Sequence, residues 1–371
     1  MSARPLHLRN FPYYFLKVLV FDFEQYSAGK VLSYFCAIVH SISIFLQMHY
    51  LVKNFTKETM FQYGCVLTVL TYCVVALFFA IASGNFVEKL ESEISSFVWP
   101  LDICGEDVKA AILKRAFYTS LVAYITIIAF PIFSVIMFPV LGDQSDMFLC
   151  VRVFNEYFTK WSQIPISLYF YSFPVIAFSG IRLPGMLLYA ILITHIQMFL
   201  LNRRIEQISE LSNQRRVFET LCSCIELQAK LKRLIRNVFQ LVYIAMPIFI
   251  LLGAVSSVFV LFFVVNSLET ASYFLVLRMG CFFGANVLVV FIFSQSGQSF
   301  SDETGRIFDT LVMCSWYNWD KRNKKVLLMF LANSLEPMSI TIAGITLDYK
   351  FALAMLRTSC SYALVLYQMK N

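Results

Sequence analysis

Residues 64–84 read GCVLTVLTYCVVALFFAIASG, a stretch without one charged side chain. An α-helix rises about 1.5 Å per residue, so this stretch is long enough to cross the roughly 30 Å hydrocarbon core of a bilayer. The whole chain has 371 residues, of which 59% are hydrophobic and 14% charged, and its mean hydropathy is +0.69. Soluble domains carry about a quarter charged residues. The composition therefore predicts a helical membrane protein and excludes a soluble enzyme.

Other apolar runs extend this pattern to an all-α protein with seven transmembrane helices. The fourth run is long and contains Pro165, Pro174 and Pro184, so we expect one bent helix there. The last run is interrupted by Glu336-Pro337, which predicts a broken seventh helix with one half buried in protein and the other crossing. The expected spans are 31–51, 64–84, 116–141, 163–201, 238–265, 273–293 and, for the broken helix, 326–347 with 351–367.

The basic residues between these runs predict an inverted topology. Segments on one side of the bundle hold 21 lysines and arginines, and segments on the other side hold five. Positive residues favour the cytoplasmic side, so the N-terminus is expected inside and the C-terminus outside. The sequon Asn54-Phe55-Thr56 falls in a loop that this topology places outside. The start of the chain shows no removable signal peptide.

The chemistry-bearing residue types form no catalytic or metal pattern. Most of the ten cysteines lie inside apolar runs, and the four histidines are dispersed. Such a distribution is typical of packed side chains rather than of disulfides or zinc ligands. We find no nucleophile and base arrangement, phosphate loop or dinucleotide fingerprint. The sequence therefore predicts no enzymatic activity, no cofactor and no metal, and the net charge of +7 is attributed to loops facing anionic lipid rather than to nucleic acid.

The last seventy residues carry a more specific pattern. They include an acid-rich helix start at Ser301-Asp302-Glu303, an aromatic pair before a basic patch, a proline and a terminal polar pair. The remaining landmarks are Trp316-Tyr317, Pro337, Ala343-Gly344, Ser361-Tyr362 and Gln368. Together with the inverted seven-helix topology, this pattern resembles the insect odorant receptor family. Ser361 and Met369 depart from the Thr-Tyr and Gln-Phe ending of the gustatory relatives, and the short segment 202–236 resembles an odour-tuned subunit rather than the shared co-receptor.

The resemblance implies an odorant-gated, non-selective cation channel in the plasma membrane of olfactory sensory neurons. Such a subunit forms a heterotetramer with the co-receptor and lines the pore with its last helix. The implied regions are a cytoplasmic N-terminal segment (1–30), transmembrane helices 1–4 with the ligand pocket (31–201), a cytoplasmic loop with helix extensions (202–237), helices 5–6 (238–297), a cytoplasmic anchor helix (298–337) and a pore helix with an extracellular C-terminus (338–371).

A small and polar stripe marks the final helix independently of the family. At 3.6 residues per turn, Ala354, Thr358, Ser361, Val365 and Gln368 share one face. Polar groups are costly against lipid, so this face is expected to meet water or another helix. Both a pore lining and close helix packing fit the stripe alone. The resemblance favours the pore, with Val365 at the hydrophobic gate and Gln368 just outside it.

A ligand pocket is expected among the aromatic helices in the outer half of the bundle. The spans before the last helix hold no acidic residue, so an uncharged ligand is favoured, and with the resemblance we expect a small uncharged volatile of the aromatic or heterocyclic type. The expected lining residues are Tyr72, Val75, Phe79, Tyr124, Ile128, Tyr171 and Phe283. Two alternatives stay open: a gustatory-type homotetrameric channel, and a secondary transporter with its site at a broken helix.

Overall fold

A computed structural model describes most of the chain. The described residues are 27–82, 94, 99–101, 105–114, 116–118, 121–122, 125, 144–145, 148–267, 273–342 and 344–370. Most of the third predicted span and nearly all of the predicted N-terminal segment lie outside them.

The described chain is built almost entirely from helices. The first four are α1 (Ser27–Lys53), α2 (Lys57–Ala82), α3 (Leu149–Phe158) and α4 (Gln163–Ile208). They are followed by α5 (Gln214–Ser267), α6 (Tyr273–Val312), α7 (Lys321–Ser334) and α8 (Tyr349–Lys370). Short 3-10 turns lie at Thr159–Trp161 and Trp316–Asn318, and residues 106–114 and 116–118 are also helical. The predicted all-α class is confirmed.

Side-chain caps define where three of the later helices begin. Asn213 Oδ1 accepts the backbone N–H of Arg215 at 2.9 Å at the start of α5. Asp320 Oδ1 accepts that of Asn323 at 2.7 Å in α7, and Asp348 Oδ1 accepts that of Phe351 at 2.8 Å in α8. Each cap satisfies an amide that has no partner within its own helix.

The interruption predicted at Glu336-Pro337 is present and contains a small hairpin. After α7 ends at Ser334, strands β1 (Thr341–Ile342) and β2 (Ile345–Thr346) pair in antiparallel fashion. The hairpin leads directly into α8. The predicted half 326–347 is therefore helical only as far as Ser334, and α7 and α8 are separate helices.

Two clusters of buried side chains organise the bundle. One joins the second half of α4 to the first half of α5, the second half of α6 and α7, with Leu201, Leu231 and Ile307 fully buried. The other joins α1, α2, α3 and the first half of α4. α8 packs against α5 and α6, at the edge of this arrangement.

The structure corrects one predicted boundary. Ser301-Asp302-Glu303 does not begin a helix, because α6 runs through it without a break from Tyr273 to Val312. Glu303 has hydrogen-bond partners at this point. Its Oε1 accepts a hydrogen bond from Arg306 Nη1 at 3.2 Å, and its backbone carbonyl accepts one from Asn202 Nδ2 at 2.9 Å. A helix can therefore continue where its apolar pattern ends.

Within the described residues, three helices are long and apolar enough to cross a membrane. They are Ala28–Lys53, Gln62–Ala82 and Gln163–Ile208. These match the first, second and fourth predicted spans. The count of seven crossings and the inverted orientation stay predictions.

Candidate functional site

The predicted ligand pocket begins where α2 meets α4. The Tyr72 hydroxyl donates to the backbone carbonyl of Gly180 at 3.2 Å. A Cβ on Gly180 would lie only 2.7 Å from Cys73 Sγ, so the absence of a side chain lets the two helices approach closely. Val75 and Phe79 follow Tyr72 by three and seven residues, which places them on one side of α2. Both are partly buried against the cluster that includes the second half of α4.

The structure brings some of the other predicted lining residues to this region and separates one of them. Phe283 of α6 packs against the same buried cluster as Tyr72. Tyr171 precedes Gly180 by nine residues, which corresponds to about half a turn around α4, and its side chain is 84% exposed. It therefore points away from Tyr72. Tyr124 and Ile128 lie outside the described residues.

The sequence does not predict one buried polar contact near this region. His40 of α1 lies 2.9 Å, Nε2 to Oγ, from Ser172 of α4, and its ring centre is 4.6 Å from that of Tyr169. His40 is fully buried. One histidine in an apolar run gives no local signal for such a contact, because its partners are more than a hundred residues away in the chain.

The predicted pore stripe lies on the outer surface of the helical bundle. Thr358, Ser361 and Gln368 are exposed, and Val365 is 47% exposed. Ser359 and Ala363 are buried, and since α8 packs on α5 and α6, this is the side of the helix that faces its own bundle. Leu353, Tyr362 and Leu364 are exposed as well. The stripe is thus available to water or to another chain.

Polar contacts join the first half of α5 to α7. Asn323 Nδ2 donates to the carbonyl of Gln214 at 2.9 Å, and Gln228 Nε2 donates to Ser334 Oγ at 2.9 Å. Lys232 Nζ donates to the carbonyl of Asn333 at 2.6 Å, and burial lowers the pKa of its ammonium group.

Burial also raises the pKa of the Cys224 thiol to about 12. This thiol acts as an apolar filler of the core rather than as a reactive group.

The region around α7 also exposes a set of large apolar side chains. They lie at the end of α6, in the following turn and along α7: Val312, Met313, Trp316, Tyr317, Leu328, Met329 and Leu335. The part of the chain that the structure describes contains no cluster of three or more residues able to hold a metal ion.

A cavity of about 440 Å³ lies between α4, α6 and the helical residues 106–114 and 116–118. Its walls are mostly apolar, and Gln295, Ser296 and Ser299 form a polar strip on α6. It lies away from the predicted pocket, since none of the five predicted lining residues that the structure describes borders it. Its wall comes from three segments far apart in sequence, so no local pattern indicates it.

A family model described as 7tm Odorant receptor matches residues 54–359. The chain belongs to the odorant receptor family. The receptor is consequently a membrane protein of olfaction and not an enzyme, as the sequence predicted.

Solved structures agree with this assignment. The receptor is similar to the insect olfactory receptor OR5 from Machilis hrabei in complex with eugenol, with a TM-score of 0.77 and 14% identity over 98% of this chain and 99% of that one. It is equally similar to the OR5 structure described without eugenol, with a TM-score of 0.76 and 13% identity over the same shares. At these identities the likeness establishes the fold. No curated protein matches the chain.

Proposed function

We propose that the receptor is an odour-tuned subunit of a non-selective cation channel in the plasma membrane of olfactory sensory neurons. It binds a small uncharged volatile in the outer half of its bundle and assembles with the odorant co-receptor into a heterotetramer. The N-terminus lies in the cytoplasm and the C-terminus outside. The observation that carries the proposal is the position of α8, because its polar stripe faces away from its own bundle.

Two exposed surfaces support assembly with other subunits. A Thr, Ser and Gln stripe against lipid would leave hydroxyl and amide groups without partners, which costs free energy in hydrocarbon. A central pore shared by several subunits gives these groups water instead. Val365, at 47% exposure, then supplies an apolar ring that can close the pore by dewetting.

The second surface is the apolar set around Trp316, Tyr317, Leu328 and Met329. In the proposed topology it lies outside the bilayer, where large exposed apolar patches are typical of protein interfaces. Partner subunits of the tetramer would cover it. The four chains would therefore contact one another at the pore, within the bilayer, and at this apolar surface, outside it.

The pocket residues support an uncharged ligand. Tyr72, Val75, Phe79 and Phe283 provide apolar walls, and the Tyr72 hydroxyl is the polar group among them. A charged ligand would lose its hydration without gaining a counter-ion from these four residues. The OR5 structure that contains eugenol, a neutral aromatic compound, supports the same class of ligand here.

Odorant-evoked current recorded with and without the co-receptor tests the proposal. We expect current only when both chains are expressed, with permeability to Na⁺ and K⁺ alike. Current from this chain alone would favour the gustatory-type homotetramer. Odorant uptake without channel current would favour a transporter. Surface labelling of the tagged chain serves as the control for expression in each case.

A further inference from the structure

The cavity between α4, α6 and residues 106–118 is a second region of the receptor able to enclose a small molecule. Its volume of about 440 Å³ falls within the range of known ligand pockets, about 300–1,000 Å³. Apolar and polar side chains lie on different parts of the wall. Apolar side chains dominate the part formed by α4 and by residues 106–114 and 116–118, and they include Val108, Ile112, Ile191, Leu192, Ile196 and Phe199.

Polar groups lie on the α6 side, at one end of the cavity and, on α4, at His195. Gln295 and Ser299 lie one turn apart on α6, and their Nε2 to Oγ distance is 3.5 Å, which is long for a hydrogen bond. The Gln295 amide can therefore donate to a ligand oxygen at little cost. Asp107 and Arg203 also border the cavity and bring one charge of each sign.

These charges do not select an ion. Arg203 Nη1 already binds Glu206 Oε2 at 2.8 Å, and its guanidinium carbon lies 5.5 Å from the centre of the Phe199 ring. An anionic ligand would meet Asp107, and a cationic one would meet Arg203. A neutral molecule avoids both repulsions, so the wall chemistry matches an alkyl chain that carries one hydroxyl or carbonyl oxygen.

We infer that this cavity binds a neutral single-chain amphiphile, of the fatty alcohol or monoacylglycerol class. Its alkyl chain lies along the apolar wall of α4, and its oxygen accepts the Gln295 amide. The cavity includes the end of the fourth predicted span (163–201) and residues just after the sixth (273–293). In the proposed topology it therefore lies at the inner face of the bilayer, where such amphiphiles are dissolved.

The site also has a direct connection to the pore helix. The hydroxyl of Tyr349, the first residue of α8, donates to Gln295 Oε1 at 2.6 Å. One amide group thus contacts both the cavity and the base of α8. A ligand that reorients this amide changes the hydrogen bond to Tyr349, so occupancy of the cavity should alter gating. This coupling rests on the proposed channel function, whereas binding does not.

Photolabelling tests binding without any need for channel activity. The probe is a fatty alcohol with a diazirine in its chain, applied to the purified full-length receptor in lipid nanodiscs, with adducts located by mass spectrometry. We expect adducts in 106–118 and in the 191–199 part of α4, and we expect excess 1-decanol to remove them.

Matched variants define the site. Ala111→Trp fills the cavity from its wall and should reduce this labelling by about tenfold, the equivalent of 1.4 kcal/mol. Ala110→Trp adds the same side chain at the adjacent, exposed position that does not border the cavity, and it should label as the parent does. If Ala111→Trp elutes as an aggregate, Ser299→Leu fills the opposite wall instead. Labelling that is equal in filled and unfilled cavities, or that 1-decanol does not displace, overturns the inference.

Tyr349→Phe tests the coupling. It removes the hydroxyl that contacts Gln295 and leaves the cavity wall unchanged, so photolabelling should persist. With the co-receptor present, 1-decanol should shift the odorant concentration for half-maximal current in the parent receptor and shift it less in Tyr349→Phe. An equal shift in both would refute the coupling. If no odorant current is seen at all, the proposed function fails, while the labelling result still decides the site.

Discussion

Gly297→Ala should damage the junction between α6 and α8. Gly297 is buried, and a Cβ there would overlap the carbonyl oxygen of Leu347 and lie 3.0 Å from the Leu347 carbonyl carbon and 3.1 Å from the Leu347 Cβ. Leu347 is 3% exposed and lies two residues before α8. The backbone of Leu347 must therefore move away, and the start of α8 must move with it.

The expected magnitude is a difference between two opposing terms. Overpacking a filled site costs about 1–3 kcal/mol. Replacing glycine by alanine inside a helix gains about 1 kcal/mol of helix propensity. Gly284→Ala, on the same helix, is the matched control, because Gly284 is exposed and its Cβ would meet none of the described atoms within 4 Å. The two variants should therefore differ by the overpacking cost alone.

Thermal unfolding of the detergent-solubilised receptor, followed by size-exclusion fluorescence, measures this difference. With an unfolding entropy of about 2.1 cal/mol/K per residue, a cost of 1–3 kcal/mol corresponds to a separation of roughly 1–4 °C, with Gly297→Ala the less stable. In cells, Gly297→Ala should also change basal current when it is expressed with the co-receptor. Equal midpoints for both variants would refute the close approach of α6 to the segment before α8.

Further outcomes follow from the proposed pocket, pore and topology. Tyr72→Ala or Phe283→Ala should shift the odorant dose–response curve to higher concentration, by about tenfold for a loss of 1.4 kcal/mol of contact, while Tyr171→Ala, on the opposite side of α4, should leave it in place; identical curves for all three would reject the pocket. Val365→Gln should raise ligand-independent current because a polar ring stays wet, and wild-type basal current from surface-expressed Val365→Gln channels would remove Val365 from the gate. Gln368→Arg should lower cation conductance through charge repulsion in a narrow pore, and single-channel recording checks this. An epitope tag after Asn371 should be stained on intact cells, and staining only after permeabilisation would invert the topology.

The sequence predicts those features that depend on local pattern. One long, bent helix is predicted over 163–201, because the apolar run is too long for one straight crossing and contains several prolines, and a continuous helix, Gln163–Ile208, is present there. The interruption at Glu336-Pro337 was expected because proline and an acidic residue end an apolar pattern. The hairpin inside it was not, since two strands of two residues each leave too few positions to show alternation.

Features that depend on contacts distant in sequence could not be predicted in this way. The continuation of α6 through Ser301-Asp302-Glu303 depends on Asn202 and on Arg306, and the first of these lies on another helix. The cavity depends on three segments that meet only in the folded chain. In the pocket, aromatic composition could not distinguish Tyr72, which faces α4, from the exposed Tyr171.

α5 is long enough to lie partly in lipid and partly in water. Its 54 residues extend over about 80 Å, more than twice the hydrocarbon thickness of a bilayer. The core around Leu221, Leu231 and Phe330 lies against the part of α5 that precedes its apolar run. Water drives the burial of that core, whereas helices inside lipid associate mainly through packing and hydrogen bonds. Urea and cold, which weaken burial from water, should therefore loosen the packing of this core while the helices within the lipid stay associated.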